Sequence, residues 1–68
     1  ERFSFVPRGL EGIVSITLYD SAGRMMTRER GTGRIDISTS GYTTGVYYYI
    51  ASDQAGYRKT GKLLVKGR

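Results

Sequence analysis

The sequence predicts an all-β domain, a small antiparallel β-sandwich. Three observations carry this. Apolar and polar residues alternate with a period of two in several short runs. Turn signals built on Asp and Gly separate those runs at intervals of about ten residues. No segment holds a helical period long enough to bury a stripe, so no helix is expected.

The elements follow in chain order. "RFSFV", before Pro7, reads as the remnant of a first strand. "GIVSITLYD" places Val14, Ile16 and Leu18 on one face and Ser15, Thr17 and Tyr19 on the other. "DSAG" (Asp20 to Gly23) then reverses the chain. Its Asp can accept from its own backbone two residues on, and its Gly tolerates positive φ, which suits a type I turn with a left-handed residue. "RMMTRE" is a strand of less clear alternation, and "RGTGR" supplies Gly31 and Gly33 for a third reversal. "RIDIS" points Ile35 and Ile37 inward and Arg34 and Asp36 outward. "STSGYTTG" (Ser38 to Gly45) is long enough to carry the chain from one sheet to another, as a Greek key requires. "VYYYI" is apolar or aromatic on both faces, as in a central strand. "DQAG" (Asp53 to Gly56) repeats the first turn's grammar, although the flanks do not match and no internal repeat is implied. "GKLLVK" sets Leu63 and Val65 against Lys62, Leu64 and Lys66. Val14, Ile16, Leu18, Ile35, Ile37, Leu63 and Val65 are the expected core.

Sixty-eight residues make a single domain, 1–68, with a thin core. The chain has neither Cys nor His. Disulfides are thereby excluded, and the usual zinc and iron ligands and nucleophile–base pairs are missing. The carboxylates are Glu1, Glu11, Asp20, Glu29, Asp36 and Asp53, two of them already explained by turns. No enzyme activity and no cofactor is expected. The net charge of +5 favours acidic partners, or serves solubility alone. No apolar run approaches the ~20 residues of a membrane span, so stable membrane insertion is not expected. The abrupt start at Glu1 reads as a piece of a longer protein.

Two binding motifs fail on context. "GYRKTGK" (Gly56 to Lys62) fits the opening of a phosphate loop, but the Ser or Thr that holds magnesium is replaced by Leu63, and a strand follows where a helix is required. Tyr47, Tyr48 and Tyr49 beside Arg58, Lys59 and Lys62 suggest a stacking platform for nucleic acid. Adjacent tyrosines on a strand alternate faces, however, and the aromatic–glycine spacing of RNA-binding sheets is absent, so nucleic acid is not an expected partner.

The order of the pieces is itself distinctive: "LYDSAGR", a short strand, "IDIS", a polar loop, "GVYYYI", a hairpin, then "GKLLVK". It resembles the C-terminal sorting domain of type IX secretion cargo in the Bacteroidota and related bacteria, over about residues 13 to 66. The resemblance rests on Leu18, Tyr19, Asp20, Gly23 and Arg24, then Gly45 and Tyr47, then Gly61, Lys62, Leu63, Val65 and Lys66, which stand as the sorting-signal motif. One departure is plain. The family opens with an Asn-Pro-containing strand, this chain contains no Asn, and "ERFSFVP" stands as a truncated or diverged first strand.

The resemblance implies an Ig-like sandwich at the end of a larger exported protein. It implies a non-catalytic address, present in the periplasm in transit and then at the cell surface or in the medium. The implied partners are the fused cargo, the outer-membrane translocon and a sortase-like protease that removes the domain and anchors cargo to anionic lipopolysaccharide. Arg68 is then expected at or near the natural C-terminus. Outward Lys62, Lys66 and Arg68 either offer charge to a receptor or solubilise an edge strand. Gly23, Gly45 and Gly56 are expected as turn glycines, and Tyr47 as a packing residue with its hydroxyl bonded to a loop backbone. A generic Ig-like spacer or adhesion module remains the alternative, and self-association through "VYYYI" stays open.

Overall fold

The computed structural model describes residues 2–66. They form six strands and no helix: β1 (Arg2–Phe5), β2 (Val14–Tyr19), β3 (Met25–Gly31), β4 (Ile35–Ser38), β5 (Gly45–Asp53) and β6 (Arg58–Val65). All pairings are antiparallel. One sheet has four strands in the order β3-β2-β5-β6, and the other pairs β1 with β4. The expected β-sandwich is therefore present, with a four-residue strand at Arg2–Phe5.

The core lies between the two sheets. Val14, Ile16 and Leu18 are wholly buried, and Phe5, Ile35, Ile37 and Ala51 join them in one cluster. Their alternation with half-buried Ser15, Thr17 and Tyr19 follows from the pleat of β2, which sends successive side chains to opposite faces. Tyr49 links the layers: its ring centroid lies 5.8 Å from that of Phe3 and 5.4 Å from that of Phe5, the latter edge to face. Val65 is buried, whereas Leu63, expected in the core, is half-buried at its margin. The reason is position, since β6 is an edge strand and the small sheet does not fully cover it.

The two Asp turns are built alike. Asp20 accepts from Gly23 N and Asp53 from Gly56 N through their carbonyls, at 2.9 and 3.2 Å. One carboxylate oxygen of Asp20 takes the amides of Ala22 and Arg24, and one of Asp53 takes those of Ala55 and Tyr57. Gly23 (φ 85°) and Gly56 (φ 94°) supply the left-handed residue.

Gly31 closes β3, and the chain changes sheet through Gly33 (φ 72°), since β3 and β4 do not pair. Two local expectations are corrected. Gly45 is the first residue of β5 and has no positive φ, so it is not a turn glycine. "VYYYI" is central, but its apolar residues are not buried on both faces: Val46 and Tyr48 are exposed, because no layer among the described residues covers the outer side of the large sheet. The weak alternation of "RMMTRE" has a cause too. A bulge opposite Leu18 and Tyr19 inserts one extra residue and breaks the period.

Candidate functional site

The motif residues fall into two neighbouring groups. The first surrounds a cleft of about 320 Å³ between the β2–β3 turn and the loop entering β5. Asp20, Arg24, Gly45 and Tyr47 line it, together with Met26 and Thr43. The turn dictates this placement. Asp20 and Arg24 are joined by the reversal itself, through Asp20 N to Arg24 O at 2.9 Å, and Arg24 Nε donates to Asp20 Oδ2 at 2.9 Å. Arg24 remains largely exposed, so this pair contributes little to stability but holds a guanidinium at the mouth of the cleft.

Tyr47 forms the buried wall. Its ring lies 5.0 Å from that of Tyr42, and its hydroxyl donates to the Thr43 carbonyl at 2.8 Å. The expected packing role with a loop-bonded hydroxyl is what the structure contains. Tyr42 in turn hydrogen-bonds Thr27 through its hydroxyl, so two tyrosines tether the long β4–β5 loop to the large sheet.

The second group lies on β6. The register sets Gly45 opposite Val65, Tyr47 opposite Leu63, Tyr48 opposite Lys62 and Tyr49 opposite Gly61. The cleft and the far end of β6 are therefore adjacent across β5. Lys62 and Lys66 are exposed, Val65 is buried, and Gly61 faces the Tyr49 ring. Of the remaining motif residues, Leu18 is core, Tyr19 lies on the outer face opposite Tyr48, and Gly23 closes the turn. Arg68 lies outside the described residues.

The electrostatics are those of ordered turns. Asp20 has its carboxyl held below the ordinary carboxylate range, chiefly by the Arg24 amide, with the guanidinium of Arg24 and the Ala22 amide adding to it against a partial burial that opposes it. Asp53 is also lowered. Burial pushes it up, but the amides of Glu11, Tyr57 and Ala55 together outweigh that. The Glu11 N to Asp53 Oδ2 bond, at 3.1 Å, joins the β1–β2 connection to the β5–β6 turn.

Among the described residues no three acidic, His or Cys side chains gather as a metal site. The phosphate-loop lookalike from Gly56 to Lys62 spans a turn and the start of β6, without the helix whose amides that motif uses. Sequence reasoning missed Thr43 and Met26, which come to the cleft through the sheet-changing loop and the bulge, and Tyr42, which packs on Tyr47; no local pattern marks any of them.

Residues 4–66 match the secretion system C-terminal sorting domain family. No curated protein matches the chain, and no solved structure does. The match includes all the motif residues, the cleft and the whole of β6. The chain belongs to the secretion system C-terminal sorting domain family, the sorting signals of type IX secretion.

Proposed function

We propose that this domain directs a fused cargo through the outer-membrane translocon of type IX secretion, and that β6 with the adjoining cleft is the part read. The domain does no chemistry on the cargo. In this reading it passes through the periplasm and delivers the cargo to the cell surface or the medium, where a sortase-like protease removes the domain and anchors the cargo.

The observation that carries the reading is how the motif is held. A signal recognised by shape must be presented by a fold. β6 pairs with β5 over its full length, Val65 is buried, and Lys62 and Lys66 project to solvent. Asp20, Arg24, Gly45 and Tyr47 meet at the cleft beside it, although they are spread over nearly thirty residues of chain.

The test is export of a periplasmic fluorescent protein carrying residues 1–68 at its C-terminus, in a bacterium with type IX secretion. The full fusion should reach the surface or medium. A copy lacking Gly61 to Arg68 should stay in the periplasm. A Lys62→Ala/Lys66→Ala variant, folded by circular dichroism, should be exported poorly. Retention of a folded wild-type domain in the periplasm would refute the reading in favour of a spacer or adhesion module.

A further inference from the structure

The uncovered side of the four-stranded sheet has a composition that packing does not explain. Register places its side chains in rungs. Arg30, Ser15, Ser52 and Arg58 form one, Arg28, Thr17, Ile50 and Thr60 the next, then Tyr19, Tyr48 and Lys62, and finally Val46 and Leu64. The middle strands bring Tyr19, Ile50, Tyr48 and Val46 to this face among Ser15, Thr17 and Ser52, and Tyr48 and Val46 are exposed, as is Leu64 on the outer strand β6. Basic residues stand on both outer strands.

None of these paired positions is Asp or Glu. Among the described residues, the carboxylates stand outside these rungs, Glu11 in the β1–β2 connection with its amide on Asp53. Asp20 and Asp53 are bound into turns. Asp36 sits on the small sheet with Arg2 and Arg34. Glu29 stands opposite Ile16, on the other side of β3. Arg28, Arg30, Arg58 and Lys62 take part in none of the ion pairs found among the described residues. Solubility alone would be served by mixed charge spread over the whole surface, not by cations gathered around exposed Tyr48 and Val46.

We infer that this face is the docking surface for an acidic protein face with an apolar centre, carried by a component of the export machinery. The inference rests on the sorting role proposed above and adds the face and the chemistry of the partner. Four paired strands spaced about 4.8 Å apart make a rigid platform, so little order is lost on binding. An apolar, tyrosine-containing centre with arginines around it is the composition of a protein interface core and rim. Unpaired cations on the rim need complementary carboxylates, which also speed encounter. A lipid surface fits less well. Thr17, Thr60, Ser15 and Ser52 lie among the apolar residues, and their hydroxyls would lack partners in an acyl layer.

The experiment uses the same reporter fusion with variants outside the sorting motif. Arg28→Glu/Arg58→Glu reverses the rim, and Tyr48→Ala removes the centre. Arg8→Glu/Arg34→Glu makes the same charge change elsewhere, since both are exposed and lie outside β6 and the cleft. Urea midpoints check folding, and Arg28→Gln/Arg58→Gln replaces any reversal that fails to fold. A photo-crosslinking residue at position 48 is compared with one at exposed Tyr57 during export.

Loss of export by about tenfold in the rim and Tyr48 variants is expected, with the control within about twofold of wild type. A protein adduct at position 48, absent at position 57 and lost on rim reversal, is also expected. Rim variants exported like the control would overturn the inference while leaving the sorting role intact. Failure of the wild-type fusion to be exported would instead overturn the sorting role, and the inference with it. Binding to phosphatidylcholine vesicles with about 30% phosphatidylglycerol, abolished by rim reversal, without a protein adduct at position 48, would assign the face to lipid and overturn it.

Discussion

The phenol ring of Tyr49 occupies the space that a side chain on Gly61 would need. The two residues stand directly opposite on β5 and β6, and a Cβ built on Gly61 would come 2.6 Å from Tyr49 Cε2 and 2.7 Å from its Cζ and hydroxyl. Tyr49 also packs on Phe3 and Phe5 of the other sheet. One ring thus joins the motif strand to both layers, and Gly61 is the residue that lets it.

Gly61→Ala should force the ring off its site. A cost of about 1–3 kcal/mol is expected from overpacking, read as a lower urea midpoint. Tyr49→Leu in the same chain should relieve most of that cost, giving a clear coupling in a double-mutant cycle. Additive effects would mean that the ring moves aside freely.

Leu18→Ala should cost about 2–5 kcal/mol, since Leu18 is wholly buried between the sheets. That is a large share of the stability of so small a domain. An unchanged urea midpoint would contradict the facing of β2.

The glycines divide by backbone conformation. Gly23→Ala and Gly56→Ala place a side chain in the left-handed region and should each cost about 1–2 kcal/mol. Gly45 has no positive φ, and no atom lies within 4 Å of a Cβ placed there. Gly45→Ala should therefore leave the urea midpoint unchanged within about 0.5 kcal/mol. Reduced export by that variant would show that the cleft floor is read directly.

Acid should weaken the fold through the two turns. Asp20 and Asp53 both have depressed carboxyl groups, so each contributes stability that is present above the unfolded carboxylate value of about 4 and is lost as pH falls through the lower folded value. The urea midpoint should be level near neutrality and fall below about pH 4. Asp20→Asn/Asp53→Asn should start lower at neutral pH and show a shallower fall. An equally steep fall in that variant would place the acid sensitivity elsewhere.

Removing the Tyr47 hydroxyl isolates the loop tether. Tyr47→Phe keeps the ring contact with Tyr42 but loses the bond to the Thr43 carbonyl. About 1 kcal/mol of destabilisation is expected, with faster amide exchange in the β4–β5 loop. Unchanged exchange there would mean that Thr27 and Tyr42 hold the loop alone.

Much of this was legible in the residues. Alternation in β2 and β4 named the buried face, because a pleated strand has only two sides. The β5–β6 hairpin was legible from its Asp53–Gly56 turn, and the structure adds the register that sets Tyr49 opposite Gly61. Leu63 and Gly45 were misjudged for one reason. A strand pattern says which residues share a face, but not how far the opposing sheet extends over it, nor where a loop gives way to a strand.

By itself the amino-acid sequence determined the strands, the two Asp–Gly turns, the absence of disulfides and of His or Cys chemistry, and the resemblance to the family. Each of these rests on local stereochemistry or on composition, which neighbours in the chain suffice to specify. Only the tertiary structure decided that Asp20, Arg24, Gly45 and Tyr47 border one cleft, that Glu11 caps the Asp53 turn, and that one side of the large sheet is left bare, basic and tyrosine-rich. Those relations join residues up to 42 positions apart. They depend on which strands pair and which layer covers which, and the core makes that choice through the burial of Val14, Ile16, Leu18 and Ile37.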